Sequence, residues 1–137
     1  MPGIPRAGSI AVADLIGEPV VRVAADATIS TVAEAIVNAG VGAVVVGDDD
    51  RPAALLSERD IVGVIADRRD PASVSASSVA STHLIWCEAG DTVDTVAMRM
   101  TDRHIRHILV EDGGKLVGIV SARDLLGVYA SDADPEA

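Results

Sequence analysis

Ser, Arg and Asp recur at one spacing in two places, Ser57-x-Arg59-Asp60 within SERDIVGV and Ser121-x-Arg123-Asp124 within SARDLLGV. A Ser at a helix N-cap with an acidic residue three positions on satisfies the free N–H groups of the helix end, a capping box. That reading accounts for Ser57, Asp60, Ser121 and Asp124. It leaves Arg59 and Arg123 unexplained, because the second helical position carries partial positive charge from the helix dipole and disfavours a cation. A guanidinium, a hydroxyl and free backbone N–H groups at one helix start form an anion site. A neighbouring carboxylate can accept two hydrogen bonds from a vicinal diol. Phosphate and diol together are the chemistry of a ribonucleotide.

The two triplets lie 64 residues apart, and sliding the whole chain by that offset tests for an internal repeat. Thr28, Thr31, Val32 and Ala33 fall on Thr92, Thr95, Val96 and Ala97. Val46, Asp48, Gly63 and Val64 fall on Val110, Asp112, Gly127 and Val128, without a gap. The chain is a tandem duplication. Each copy reads as a short extended run (EPVVRV or HLIWCE) followed by a helix capped by Thr28 or Thr92. Ile29, Val32, Ala33, Ile36 and Val37 form the apolar stripe of the first such helix. Val93, Val96, Ala97 and Met100 form that of the second. Two strands then flank the turns DDDR and DGG, and a second helix starts after Ser57 or Ser121. The expected fold class is α/β, an α+β sandwich of two β-α-β-β-α repeats packed as one pseudo-two-fold module. The boundaries are residues 8–67 and 79–130 for the repeats, 68–78 for a Pro- and Ser-rich linker and 131–137 for an acidic tail.

Composition narrows the partners. The 137 residues suffice for one compact domain, and the core must be aliphatic, since Phe is absent and Trp and Tyr occur once each. A net charge of −10 repels nucleic acid over most of the surface, and the lack of aromatics removes a base-stacking platform. Cys87 is the lone cysteine, so neither an intrachain disulfide nor a thiolate metal cluster is expected. MPGIPRAGS has no apolar run of a signal peptide, and stretches such as VGAVVVG fall far short of the about 20 residues of a membrane span. A soluble cytoplasmic protein, bound to neither nucleic acid nor membrane, is the expectation. Nor does catalysis find support. The three His residues are too few and too clustered for a metal site, no G-x-S-x-G or Walker loop occurs, and Cys87 beside Trp86 reads as a buried, inert thiol. The DDD run at 48–50 reads as a hairpin tip.

The stretch HIRHILVEDGGKLVGIVSARDLL (104–126) resembles the signature half of a CBS domain, and the repeat as a whole resembles a CBS pair, or Bateman module, over about residues 10–130. The most specific part is Gly118-Ile119-Val120-Ser121 with Asp124. The resemblance implies a non-enzymatic regulatory module needing no cofactor. It would bind an adenosyl ligand (AMP, ADP or ATP, otherwise S-adenosylmethionine or an NAD-type ligand) in clefts between the copies. By position, Asp124 and Asp60 would hold ribose hydroxyls, with Ser121, Arg123, Ser57 and Arg59 near the phosphates. Ile16 and Val21, or Ala80 and Ile85, together with Ile119, would line the adenine slot. Gly42-Ala43 or Arg106-His107 would close it. Ala54 stands where the signature has Gly, which crowds backbone approach in the first copy. The resemblance also implies a homodimer formed through helices and a separate effector protein. The alternative is a ligand-free dimerisation scaffold, for which DIVGVIA and DLLGVYA supply apolar helix faces.

The copies differ in charge. Arg99, Arg103, His104, Arg106 and His107 stand where the first copy has Ala35, Ala39, Gly40, Gly42 and Ala43. Arg99 and Arg103 read as a solvated helix face beside Asp102, and Arg106 as a phosphate contact. The expectation is one competent anion site centred on Asp124 and Arg106, with the Asp60 site weaker or taking a less charged ligand.

Overall fold

The computed structural model describes residues 7–15 and 20–133. It is a mixed α+β structure of two compact units, one built from residues 20–84 and the other from residues 7–15 together with 85–133. The first unit contains β1 (Arg22–Val23), α1 (Ile29–Ala39), β2 (Ala43–Val46), β3 (Ala54–Ser57), α2 (Glu58–Ala66) and the short α3 (Ala76–Val79). The second contains two 3-10 turns (Ala7–Ser9 and Val12–Leu15), then β4 (Trp86–Glu88), α4 (Val93–Arg103), β5 (His107–Asp112), β6 (Lys115–Ser121) and α5 (Ala122–Ala133).

Each unit holds one three-stranded sheet, ordered β1-β2-β3 or β4-β5-β6. The first pair of strands is parallel and the second antiparallel in both. Gly113 and Gly114, at φ 61° and 82°, close the β5–β6 hairpin as a two-residue turn with left-handed backbone at both positions. The other hairpin is looser than DDDR suggests. Its loop opens at Gly47, with φ 95°, and the Arg22 guanidinium holds it by donating to the carbonyls of Gly47 and Asp49, 3.0 Å each.

The helices start where the side chains dictate. Thr28 accepts the N–H of Thr31 at 3.2 Å and Thr92 that of Thr95 at 3.3 Å, each filling an orphan donor of the first turn. Ile29, Val32 and Ile36 of α1 are buried against Val44, Val46, Leu56 and Val64. Val93, Val96 and Met100 of α4 are buried against Cys87, Ile108, Val110, Val120 and Leu125. Val37 departs from the predicted stripe and is 78% exposed. Eight steps of about 100° leave it about 80° away from Ile29, off the buried face.

The units divide differently from the boundaries read in the sequence. Residues 8–15, expected with the first repeat, pack in the second unit, where Val12 is fully buried. Residues 74–79 carry Val74 and Ala76 into the core of the first unit, so the segment read as a linker is partly structural. The two arrangements are copies of each other. Val12 N–H donates to Asp91 O and Ala76 N–H to Ala27 O, both at 2.7 Å. Val93 N–H donates to Ile10 O at 3.0 Å and Ile29 N–H to Val74 O at 2.9 Å. The segment leading into each repeat is thus hydrogen-bonded to the other repeat's first helix start. Helix α5 runs three residues into the acidic stretch, to Ala133.

Candidate nucleotide site

The end of each sheet is where the predicted residues meet. In the first unit Ala43, at the start of β2, is in register with Ser57, at the end of β3. Glu58 N–H donates to Gly42 O at 3.0 Å, and Val45 N–H to Val21 O at 2.8 Å. These bonds hold Val21, Gly42, Ala43 and the start of α2 together. The second unit repeats the pattern. His107 is in register with Ser121, Ala122 N–H donates to Arg106 O at 2.8 Å, and Leu109 N–H to Ile85 O at 3.0 Å.

Both helix starts carry the capping arrangement. Ser57 N–H donates to Asp60 Oδ2 at 2.9 Å, and the Ser57 hydroxyl to the same oxygen at 3.2 Å. Ser121 N–H donates to Asp124 Oδ2 at 2.9 Å, and Asp124 N–H to the Ser121 hydroxyl at 3.1 Å. Capping therefore uses one carboxylate oxygen of each Asp. Among the described residues no donor reaches the other, and both carboxylates are half-buried. Each Asp is oriented by its helix and keeps an oxygen to accept from a ligand.

The arginines behave otherwise. Arg59, Arg123 and Arg106 are exposed, and among the described residues none of their guanidinium groups has a hydrogen bond or ion pair. Val21, Ile85, Ile119 and Ala80 are half-buried. Ile119 lies on β6 opposite Leu109, and Ala80 precedes Ser81, which pairs with Leu55 along the edge of β3. Ile16 lies outside the described residues.

Arg99 is not the solvated residue its helical spacing suggests. It donates to Trp86 O at 2.8 Å and lies 3.8 Å from Asp91 Oδ2, tying α4 to the edge strand β4. With Trp86, Cys87, Glu88, Asp91 and Glu111 it lines a hollow of about 310 Å³ that the sequence did not mark. At its base Cys87 is 3% exposed, and burial, reinforced by the Asp91 charge, pushes its thiol up to about 11. That keeps the thiol protonated and unreactive at neutral pH. Among the described residues no cluster of His, Cys, Asp and Glu is arranged to hold a metal ion, and no helix is long and apolar enough to cross a membrane.

Comparison with known proteins places this architecture. A CBS domain family profile matches twice, at residues 12–67 and 76–131, each match beginning on the segment that crosses to the other unit. The chain belongs to the CBS domain family. A CBS domain protein of Pyrobaculum aerophilum, solved in complex with AMP, superposes with a TM-score of 0.76 at 32% identity, over 89% of this chain and 99% of that one. Hypoxic response protein 1 of Mycobacterium tuberculosis is 28% identical over 114 residues, 82% of this chain and 80% of its own. An uncharacterised protein of Methanopyrus kandleri is 37% identical over 92 residues, 65% of this chain. This CBS chain spans less than half the length of that archaeal protein, 47% of it.

Proposed function

We propose that this CBS pair is a cytoplasmic regulatory module that binds an adenine nucleotide (AMP, ADP or ATP) through Asp60 and Asp124 and passes its occupancy to a separate effector protein. The observation that carries the reading is the state of the two carboxylates. The helix cap fixes each in place and leaves one oxygen unused among the described residues, next in sequence to an arginine with no partner among them. A vicinal diol on that oxygen and a phosphate on the guanidinium satisfy both groups at once. The AMP complex of the Pyrobaculum relative supports the ligand class.

A second reading is favoured by one observation. Val37, Val62 and Ile65 of the first unit and Met98 and Leu126 of the second are exposed helix residues, Val37 at 78% and Leu126 at 68%. A homodimer would cover them, and a CBS pair that only dimerises would need no ligand. Dimerisation fits both readings, so ligand binding decides. A thermal-shift panel of AMP, ADP, ATP, NADH and S-adenosylmethionine tests it, since a ligand at a hundredfold excess over its Kd adds about 2.7 kcal/mol of stability. Asp124→Asn should then weaken the preferred nucleotide about ten- to a hundredfold, the worth of a charge-assisted hydrogen bond of about 1.5–3 kcal/mol. If the whole panel leaves the melting temperature unmoved, the scaffold reading stands in its place.

A further inference from the structure

The two sheet ends share a plan but differ in charge. In the second unit Arg106 precedes β5, His107 starts it opposite Ser121, and the position between Ser121 and Arg123 is Ala122. In the first unit the same places are Gly42, Ala43 and Glu58. Arg59 and Asp60 offset each other, as do Arg123 and Asp124. What remains is the exposed Glu58 carboxylate at one end and the exposed Arg106 guanidinium at the other. The backbone fixes both departures beside the helix start. Glu58 donates its N–H to Gly42 O, and Arg106 O accepts from Ala122 N–H. Residues of opposite charge therefore stand at equivalent ends of two otherwise superimposable plans.

We infer that the two sites take different classes of adenosyl ligand: the Asp124 site a nucleoside polyphosphate, the Asp60 site an adenosyl compound carrying at most the one phosphate that Arg59 can hold. This inference rests on the adenosyl reading above and assigns its selectivity to Arg106 and Glu58. A polyphosphate carries several negative charges. It gains a partner in Arg106 and meets repulsion from Glu58, whereas the adenosine moiety is indifferent to both.

The test is titration calorimetry of the full chain at low ionic strength with ATP and with adenosine, which differ in the triphosphate. Asp60→Asn reports on the Asp124 site and Asp124→Asn on the Asp60 site. ATP should bind the Asp124 site at least about tenfold more tightly than adenosine does, and the order should reverse at the Asp60 site. Replacing Arg106 by its counterpart, Arg106→Gly, should lower the ATP-to-adenosine affinity ratio of the Asp124 site about ten- to a hundredfold. Replacing Glu58 by its counterpart, Glu58→Ala, should raise that ratio at the Asp60 site. Equal ratios at the two sites, or ratios untouched by both substitutions, overturn the inference and leave the adenosyl reading standing. Absence of binding by either ligand at millimolar concentration removes both.

Discussion

Gly40 ends the first helix of one repeat and His104 ends the first helix of the other, both in the left-handed conformation and both donating N–H to the carbonyl four residues back, Ile36 or Met100. The same comparison runs through the rest of the molecule. At the offset of 64, Val23 corresponds to Cys87, Ala35 to Arg99, Ile65 to Tyr129, Ser30 to Asp94 and Ala72 to Gly8. The N-terminal helix caps, the strand order and most buried apolar positions agree between the repeats, while much of what is laid over them differs. A duplicated fold needs its helix starts and its core in both copies. Every other position is free to diverge, and here the second copy has collected basic groups after its first helix begins, Arg99, Arg103, His104, Arg106 and His107, while the first keeps Glu58 where the second has Ala122.

The largest effect tests the exchange of leading segments. Val12 is fully buried among Val93, Val96 and Ile108, and Val12→Ala should cost about 2–3 kcal/mol, the transfer of two methyl groups plus a cavity. Hydrogen exchange should show lost protection on α4, β5 and β6, although Val12 belongs to the first repeat in sequence. Loss confined to α1 and β2 would break the assignment of residues 8–15 to the second unit. A smaller effect sits next to it. A Cβ on Gly8 would collide with Asp94 Oδ1, the oxygen that accepts the Tyr129 hydroxyl. Gly8→Ala should therefore cost about 1–2 kcal/mol by displacing that carboxylate. In a Tyr129→Phe background much of the penalty should disappear, and denaturant titration of the four proteins measures the coupling.

The parts legible in the sequence are those set within a few residues. Thr28, Thr92, Ser57 and Ser121 announce helix starts because a cap and its target are three residues apart. Asp112, Gly113 and Gly114 announce a tight turn because few residues tolerate positive φ at both central positions. The crossing of the leading segments was not legible. It depends on backbone hydrogen bonds between Val12 and Asp91, or between Ala76 and Ala27, which leave no mark on side-chain pattern beyond one small apolar residue each. Extending the 64-residue alignment to Ile10 and Val74 would have hinted at it. The role of Arg99 lies beyond helical spacing, which tells which face a residue occupies, not which strand edge its long side chain can reach. The candidate site stands between these cases. The chemistry of Ser, Arg and Asp was visible, whereas the meeting of Val21 or Ile85 with the helix start came from family resemblance.

Alkaline titration sharpens the comparison further, because Cys87 and Tyr129, each shifted upward, lie in the second unit. The Cys87 thiol moves from 9.0 to about 11, chiefly by burial. The Tyr129 hydroxyl moves from 10.0 to about 12, chiefly through its hydrogen bond to Asp94. In each case the folded state favours the protonated form. The stability so gained is complete below the unfolded value and is lost as pH climbs through the folded one. Loss should begin near pH 9 and be complete near pH 12, with the second unit loosening before the first. Cys87→Val, the counterpart residue, should remove the lower limb of the pH profile and Tyr129→Phe the upper. Tyr129 is the only tyrosine, so an ultraviolet titration of phenolate reads its ionisation directly. A midpoint near 10 would sever the Asp94 link.

The smallest effect returns to the helix ends. His104 has φ 54°, where an L residue carries strain of about 1–2 kcal/mol that Gly40 at φ 68° does not. His104→Gly should relieve that strain but enlarge the unfolded ensemble by about 0.5–1 kcal/mol, for a net gain of about 0.5–1 kcal/mol. The reciprocal Gly40→His should be destabilising by a similar amount, since a Cβ there meets no atom within 4 Å and only the backbone conformation opposes it. Equal and opposite shifts in melting temperature would mean that the two helix ends are interchangeable parts. If His104→Gly instead destabilises, the imidazole itself makes a contribution at the end of α4, where a cation is favoured by the helix dipole, and the divergence of the second repeat would reach its scaffold as well as its surface.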